Sequence, residues 1–102
     1  MNVRFAPEVP DELAEAVLWY EARREGLGRE FLDEIQATVP LLGERPRSFP
    51  RLEHRNATLE IRRALLARFP YALVFLVLPE EVRVLAVAHA KRRPGYWLHR
   101  VR

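Results

Sequence analysis

Four side chains in this chain could carry proton transfer and charge stabilisation: Arg62, Arg68, His89 and Tyr96. They fall in two stretches, "TLEIRRALLARFPY" (58–71) and "VLAVAHAKRRPGYW" (84–97). Cleavage of an RNA phosphodiester needs a base for the 2′-proton, cations for the crowded phosphorane and an acid for the leaving oxygen. Arg62, Arg63 and Arg68 could supply the charge, and His89 or Tyr96 could handle the protons. Tyr96 and Trp97 could stack on bases. A structural reading stands beside each of these. A histidine that ends a strand commonly bonds locally, and a Tyr-Trp pair after a Pro-Gly turn commonly docks a C-terminal segment on the core.

Metal chemistry is not expected. None of His54, His89 and His99 lies three or four residues from another histidine, and the chain has no cysteine. No cofactor motif is present either. Glu53 and Glu60 are single carboxylates that read as surface or ion-pair residues.

The charge is segregated. Residues 1–41 hold nine acids and four arginines, a net of −5, whereas residues 42–102 hold five acids and thirteen cations, a net of +8. Twelve of those thirteen cations are arginine, whose planar fork suits phosphate and carboxylate. The sequence thus divides into an acidic scaffold half and a basic binding half.

The elements that must position these residues follow from periodicity. A chain of 102 residues is expected to form one domain, 1–102. "NVRF" (2–5) is a short candidate strand. "VPDELAEAVLWYEARREG" (9–26) reads as a helix, with Pro10 in its first turn and Asp11 and Glu12 favouring the N-terminal dipole. Leu13, Ala16, Val17 and Tyr20 make its apolar stripe, and Trp19 and Tyr20 both read as helix-to-sheet packing. After Gly26 and Gly28 a second helix places Phe31, Ile35, Val39 and Leu42 on one face. Pro40 should kink that helix or end its regular part early. A connection of two or three residues makes the pair an antiparallel hairpin.

"ERPRSFPRLEHRNA" (44–57) reads as a loop. Strands are expected at 58–67, 71–78 and 82–89, joined by short turns in an antiparallel meander. In the first of these, if the strand is regular, Leu59, Ile61 and Leu65 lie on one side and Glu60, Arg62, Ala64, Leu66 and Arg68 on the other. The fold class is α+β: an N-terminal strand and a helical hairpin packed on one face of a small, mostly antiparallel sheet, with a short C-terminal segment. The opposite face is expected to be uncovered and to carry Arg62 and Arg68. No apolar run is long enough to span a bilayer, and the N-terminus lacks the layout of a secretion signal. A cytoplasmic location is therefore expected.

Taken in order, "LAEAVLWYEARREGLGREFLDEI", "RPRSFP", "IRRALLARFPYALVFLV" and "VRVLAVAHAKRRPGYW" resemble the RelE/ParE superfamily of toxins from type II toxin–antitoxin modules. The likeness runs from about residue 3 to residue 100. It implies a cognate antitoxin partner that wraps the toxin in an extended or helical segment, giving a toxin–antitoxin hetero-oligomer. It also implies one of two targets. RelE-type members are ribosome-dependent mRNA endonucleases, in which sheet cations and a C-terminal Tyr or His do the chemistry. Here those positions correspond to Arg62 or Arg63 and Arg68, then His89, Arg93 and Tyr96. ParE-type members poison DNA gyrase. The only lysine, Lys91, lies outside the strands, and the "WYE" hairpin with the "AHAKRRPGYW" ending resembles the ParE-like branch, often called plasmid stabilisation proteins. Gyrase inhibition is accordingly the first expectation and mRNA cleavage the second, with an inactive remnant that only binds antitoxin as a third. Arg63, Arg92, Arg93 and Trp97 are expected to serve binding. Exposed members of the set Arg62, Arg63, Arg68, Arg92 and Arg93 are expected to pair with antitoxin carboxylates.

Overall fold

The structure, a computed structural model, describes residues 1–101. The chain runs β1 (Asn2–Phe5), α1 (Val9–Arg23), α2 (Leu27–Glu44), a 3-10 turn at Pro46–Ser48, β2 (Ile61–Leu65), β3 (Tyr71–Val77), β4 (Glu81–His89) and a 3-10 turn at Leu98–Arg100. The sheet order is β1-β4-β3-β2. β1 lies parallel to β4, and the other two pairings are antiparallel. The expected α+β fold, with a helical hairpin on a mostly antiparallel sheet, is what forms.

The hairpin depends on the Gly-Leu-Gly at its turn. Gly26 takes φ +88, a conformation that side-chain-bearing residues avoid. Gly28 is needed for a different reason: a Cβ there would stand 2.6 Å from the carbonyl oxygen of Val17. The amide donors at the start of α2 are satisfied from α1. Glu21 accepts the Gly26 N–H at 2.9 Å and the Gly28 N–H at 3.0 Å, replacing a cap from α2's own sequence. Pro40 does not end α2, which continues to Glu44.

Both sheet faces are covered. On the helix side, Tyr20, Phe31, Phe69 and Tyr71 form one aromatic cluster. Ring centroids are 5.3 Å apart for Tyr20 and Phe31, and 5.0 Å for Phe31 and Tyr71. Each such pair adds about 0.5–1.5 kcal/mol beyond its buried area, so this cluster is a principal anchor of the hairpin. On the other side, Ile61, Val74, Leu76, Leu85 and Ala86 pack under Trp97, with Leu52, Leu59, Leu98 and Val101 around it. The expectation of an uncovered, arginine-bearing face is therefore corrected. The C-terminal segment and the 49–60 loop bury it, because Trp97 supplies apolar area that no periodic pattern advertises.

The strand β2 is shorter than the expected 58–67, and its parity is the reverse of the one needed to put Arg62 on the open side. Ala64 and Leu66 belong to the helix-side core, and Arg62 shares their face. Trp19 is also corrected. Tyr20 is buried, but Trp19 is 52 % exposed and carries the Arg23 guanidinium 3.7 Å over its ring.

Candidate functional site

The site begins with an irregularity in β4. Its register with β3 passes from Val74↔Ala86 to Phe75↔Val84, leaving Leu85 as an extra residue. Such a bulge reverses the alternation of side chains. Before it, Val82 and Val84 face the helices; after it, Val87 does, and His89 follows to meet Tyr71. A regular strand would have pointed Val87 and His89 away from α1.

The same stretch of β4 has an unpaired edge. β1 matches β4 only through Phe5↔Val84, and Ala6 donates one further bond, at 2.8 Å, to the Val84 carbonyl. Beyond that point Glu12 takes over. Its Oε1 accepts the Val87 N–H at 3.0 Å and lies 2.9 Å from Nη1 of Arg100; its Oε2 accepts the Tyr96 hydroxyl at 2.9 Å. Arg100 also donates to the Leu85 carbonyl at 3.0 Å. One carboxylate and one guanidinium thus complete the edge and tie the C-terminal segment to it. Both side chains are nearly buried, at 14 % and 9 % exposure. At that depth the pair persists because each partner neutralises the other and Nη1 of Arg100 bonds both Glu12 and the Leu85 carbonyl, although Nε of Arg100 is buried without a hydrogen-bond partner among the described residues.

Tyr96 is held in its protonated form. Burial, the hydrogen bond to Glu12 and the Glu12 charge push its pKa up to about 12, against weaker opposition from Arg92 and Arg100. The Arg92 guanidinium covers its ring at 3.9 Å. Burial works most strongly against the charge of Arg100, but the hydrogen bond it donates to Glu12 and the nearby negative charges together outweigh burial and raise its pKa.

Next to this junction, α1 and the end of β4 enclose a groove of ≈ 630 Å³. Ala16, Tyr20, Tyr71 and Val87 give it apolar walls, and Glu12, Glu15, His89 and Arg92 line it with Trp19. Nδ1 of His89 accepts the Lys91 N–H at 3.0 Å, and its ring meets Tyr71 edge-on with centroids 5.0 Å apart.

Of the residues expected to act, only His89, Tyr96 and Arg92 meet here. Arg62 is elsewhere, bonded to Glu60 at 2.8 Å and to the Phe49 carbonyl at 2.7 Å. Burial disfavours the ionised form of Glu60, but hydrogen bonds from Arg62 and Arg47 outweigh it and lower its pKa. Arg68 pairs with Glu30 at 2.6 Å, and this bond, with a second from Arg24, holds Glu30 below the usual carboxylate range. Glu34 accepts the backbone N–H groups of Ala67 and Arg68, capping that turn. Arg63 is exposed on β2, an outer strand of the sheet. Trp97 is 5 % exposed in the second core. Arg93 lines a separate concavity with Arg55. These groups do not converge on a point where one phosphodiester could be held between a base, an acid and cations.

Glu12 is the residue that sequence reading missed, having been assigned only to the helix dipole. A signal was present. Glu12, Ala16 and Tyr20 are spaced by four, so this acid continues the buried stripe and must find a cation.

Among the described residues, no helix is long and apolar enough to cross a membrane. No curated protein sequence matches the chain. A solved structure described as the chromosomal ParDE TA system from P. aeruginosa is similar in fold, with a TM-score of 0.68 at 17 % identity, covering 89 % of this chain and 97 % of that one. The family model for the ParE toxin of type II toxin–antitoxin systems, parDE, matches residues 3–94, which takes in both helices, all of the sheet but Asn2, and His89. On that match, the chain belongs to the ParE toxin family of type II toxin–antitoxin systems.

Proposed function

We propose that this protein is the growth-arresting toxin of its module, that it acts in the cytoplasm by binding DNA gyrase, and that a cognate antitoxin neutralises it in a hetero-oligomer. The observation that carries the reading is the state of Tyr96. Its hydroxyl donates to Glu12 and its pKa is raised to about 12, a poor starting point for proton transfer near neutral pH. Arg62 and Arg68 are already paired with Glu60 and Glu30. A toxin that grips a protein needs none of these groups free, and family membership points the same way.

The groove between α1 and β4 is the proposed antitoxin seat. Apolar walls with a charged rim suit an amphipathic segment that lays its apolar side into the groove. Such a segment would be disordered alone and fold on contact. Glu15 at the rim asks for a cation from that segment, and Arg92 for a carboxylate.

The test is induced expression of the chain alone in bacteria, with growth, plasmid supercoiling and mRNA integrity followed together. Arrest with impaired supercoiling and intact mRNA is expected. Arrest with codon-phased mRNA cuts would replace this reading with the ribosome-dependent nuclease and return His89 to a catalytic role. No arrest from soluble, folded protein would leave an inactive remnant that only binds antitoxin.

A further inference from the structure

Half of the sixteen arginines of this chain are neutralised within the fold. Arg4, Arg24, Arg29, Arg47, Arg62, Arg68, Arg83 and Arg100 each lie within 4.0 Å of a carboxylate. The exceptions concentrate in two loops. Residues 51–55 and 91–93 hold five cations, Arg51, Arg55, Lys91, Arg92 and Arg93, against one acid, Glu53, a net of +4. The remaining twelve cations and thirteen acids sum to −1, so these two loops carry the whole positive balance of the +3 chain. All five cations are exposed, and none forms an ion pair among the described residues.

The two loops adjoin. Glu53, His54 and Arg55 from the first, and Arg93 with the following Pro94 from the second, line one concavity of ≈ 400 Å³, in which two guanidinium groups face one carboxylate. The concavity shares no lining residue with the α1/β4 groove, although Arg92 of the second loop lines that groove. The concavity offers a polyanion guanidinium forks from both sides.

We propose that this two-loop surface binds the phosphate backbone of duplex DNA without reading its sequence. Guanidinium groups free of internal carboxylates are available to phosphate oxygens, and releasing condensed counterions favours the contact. Duplex is favoured over single strands because the surface has no free stacking platform. Single-strand binders rely on exposed aromatic rings. Here Trp97 is buried, the Tyr96 ring lies under Arg92, and both ring nitrogens of His54 are used by Leu59 and Asn56. The inference does not depend on the gyrase reading, since its test measures binding by the isolated toxin.

Anisotropy of a short labelled DNA duplex is titrated with the wild-type protein, with the Arg55→Glu/Arg93→Glu protein, and with an Arg29→Glu/Arg45→Glu control. The control makes the same change in net charge on α2 and its end. The loop variant is expected to bind at least about tenfold more weakly at low salt, with the slope of log K against log salt reduced by about 2, while the control stays near wild type. Arg55→Gln/Arg93→Gln, with a smaller change, serves if the reversal disturbs folding. Equal losses in both variants would overturn the proposal in favour of diffuse charge. Tighter binding of single-stranded RNA than of duplex would overturn it in favour of an RNA surface. Displacement of the duplex from Arg55 and Arg93 by poly-glutamate at matched charge concentration would overturn it in favour of an acidic protein segment.

Discussion

The Tyr96 hydroxyl donates to Oε2 of Glu12 at 2.9 Å, joining residues 84 positions apart. With Arg100 on the other oxygen, this bond fixes the C-terminal segment to the first turn of α1 and to the bulged edge of β4. The bulge turns Val87 inward, the short β1 leaves its amide without a strand partner, and Glu12 accepts it. The groove beside α1 therefore owes its shape to a chain of local necessities that ends at residue 100.

Replacing Glu12 by Gln tests this directly. Glutamine keeps an acceptor for the Val87 N–H but leaves the nearly buried Arg100 guanidinium with only the weaker influence of the Glu8 charge. Removing one member of such a pair is expected to cost about 3 kcal/mol, whereas Tyr96→Phe, which removes one hydrogen bond, is expected to cost about 1 kcal/mol. Urea unfolding of the three proteins checks the order. If Glu12→Gln costs no more than Tyr96→Phe, the ion pair contributes little and the apolar packing of Trp97 holds the segment by itself.

The raised Tyr96 pKa predicts an alkaline limb in stability. The native state keeps this proton up to about pH 12, while the unfolded chain loses it near 10.0. Above pH 10 the unfolded state thus binds fewer protons than the native one, and stability falls as pH rises through this window. The Tyr96 contribution is fully present below pH 10. Tyr96→Phe should be less stable at neutral pH and lose less between pH 10 and 12. Tyr20 and Tyr71 are also raised by burial, so absorbance at the phenolate band should show no tyrosine titrating at its ordinary value while the fold persists. A full-amplitude transition near pH 10 in folded protein would contradict the arrangement.

The two glycines at the hairpin turn should respond oppositely to what backbone angle alone suggests. Gly26 has positive φ, but a methyl group there would meet nothing within 4 Å. Gly28 is helical, yet its methyl group would press on the Val17 carbonyl at 2.6 Å. Gly26→Ala is expected to cost about 1 kcal/mol from conformation. Gly28→Ala should cost more, at least about 2 kcal/mol, because the helices must separate and the Glu21 bond to its amide lengthens. Thermal melts of both proteins would show it. A milder effect at Gly28 would mean that the hairpin opens easily.

Much of this architecture could be read from the residues. The Leu13-Ala16-Val17-Tyr20 stripe, the Phe31-Ile35-Leu42 face and the continuous "YALVFLVL" strand each carry a periodicity that burial alone explains. What could not be read has a common cause. The second core draws Leu52, Trp97 and Val101 from segments with no period, so each looks like loop until the sheet is in place. The bulge at Leu85 is hidden inside "VLAVA", where every residue is apolar and either face would accept it. The site suffered from the same blindness. Arg62 and Arg68 look free in the sequence because Glu60 and Glu30 are identified as partners only by the fold, and Tyr96 looks reactive until Glu12 is found beneath it.

Trp19 offers the last test, of the groove as the antitoxin seat. It lines the groove and is 52 % exposed, so Trp19→Ala should leave stability nearly unchanged. Leu18 is more exposed still, at 70 %, on the same helix but outside the groove. If the antitoxin lies in the groove, Trp19→Ala should weaken the complex by about 2 kcal/mol, as expected for an aromatic anchor in an interface, and Leu18→Ala by under about 0.5 kcal/mol. Calorimetric titration with the purified antitoxin measures both. Raising salt should weaken the wild-type complex only in part, because apolar contacts persist when rim charges are screened. Equal losses from the two variants would move the seat onto the outer face of α1, and complete dissociation in moderate salt would argue for charge alone.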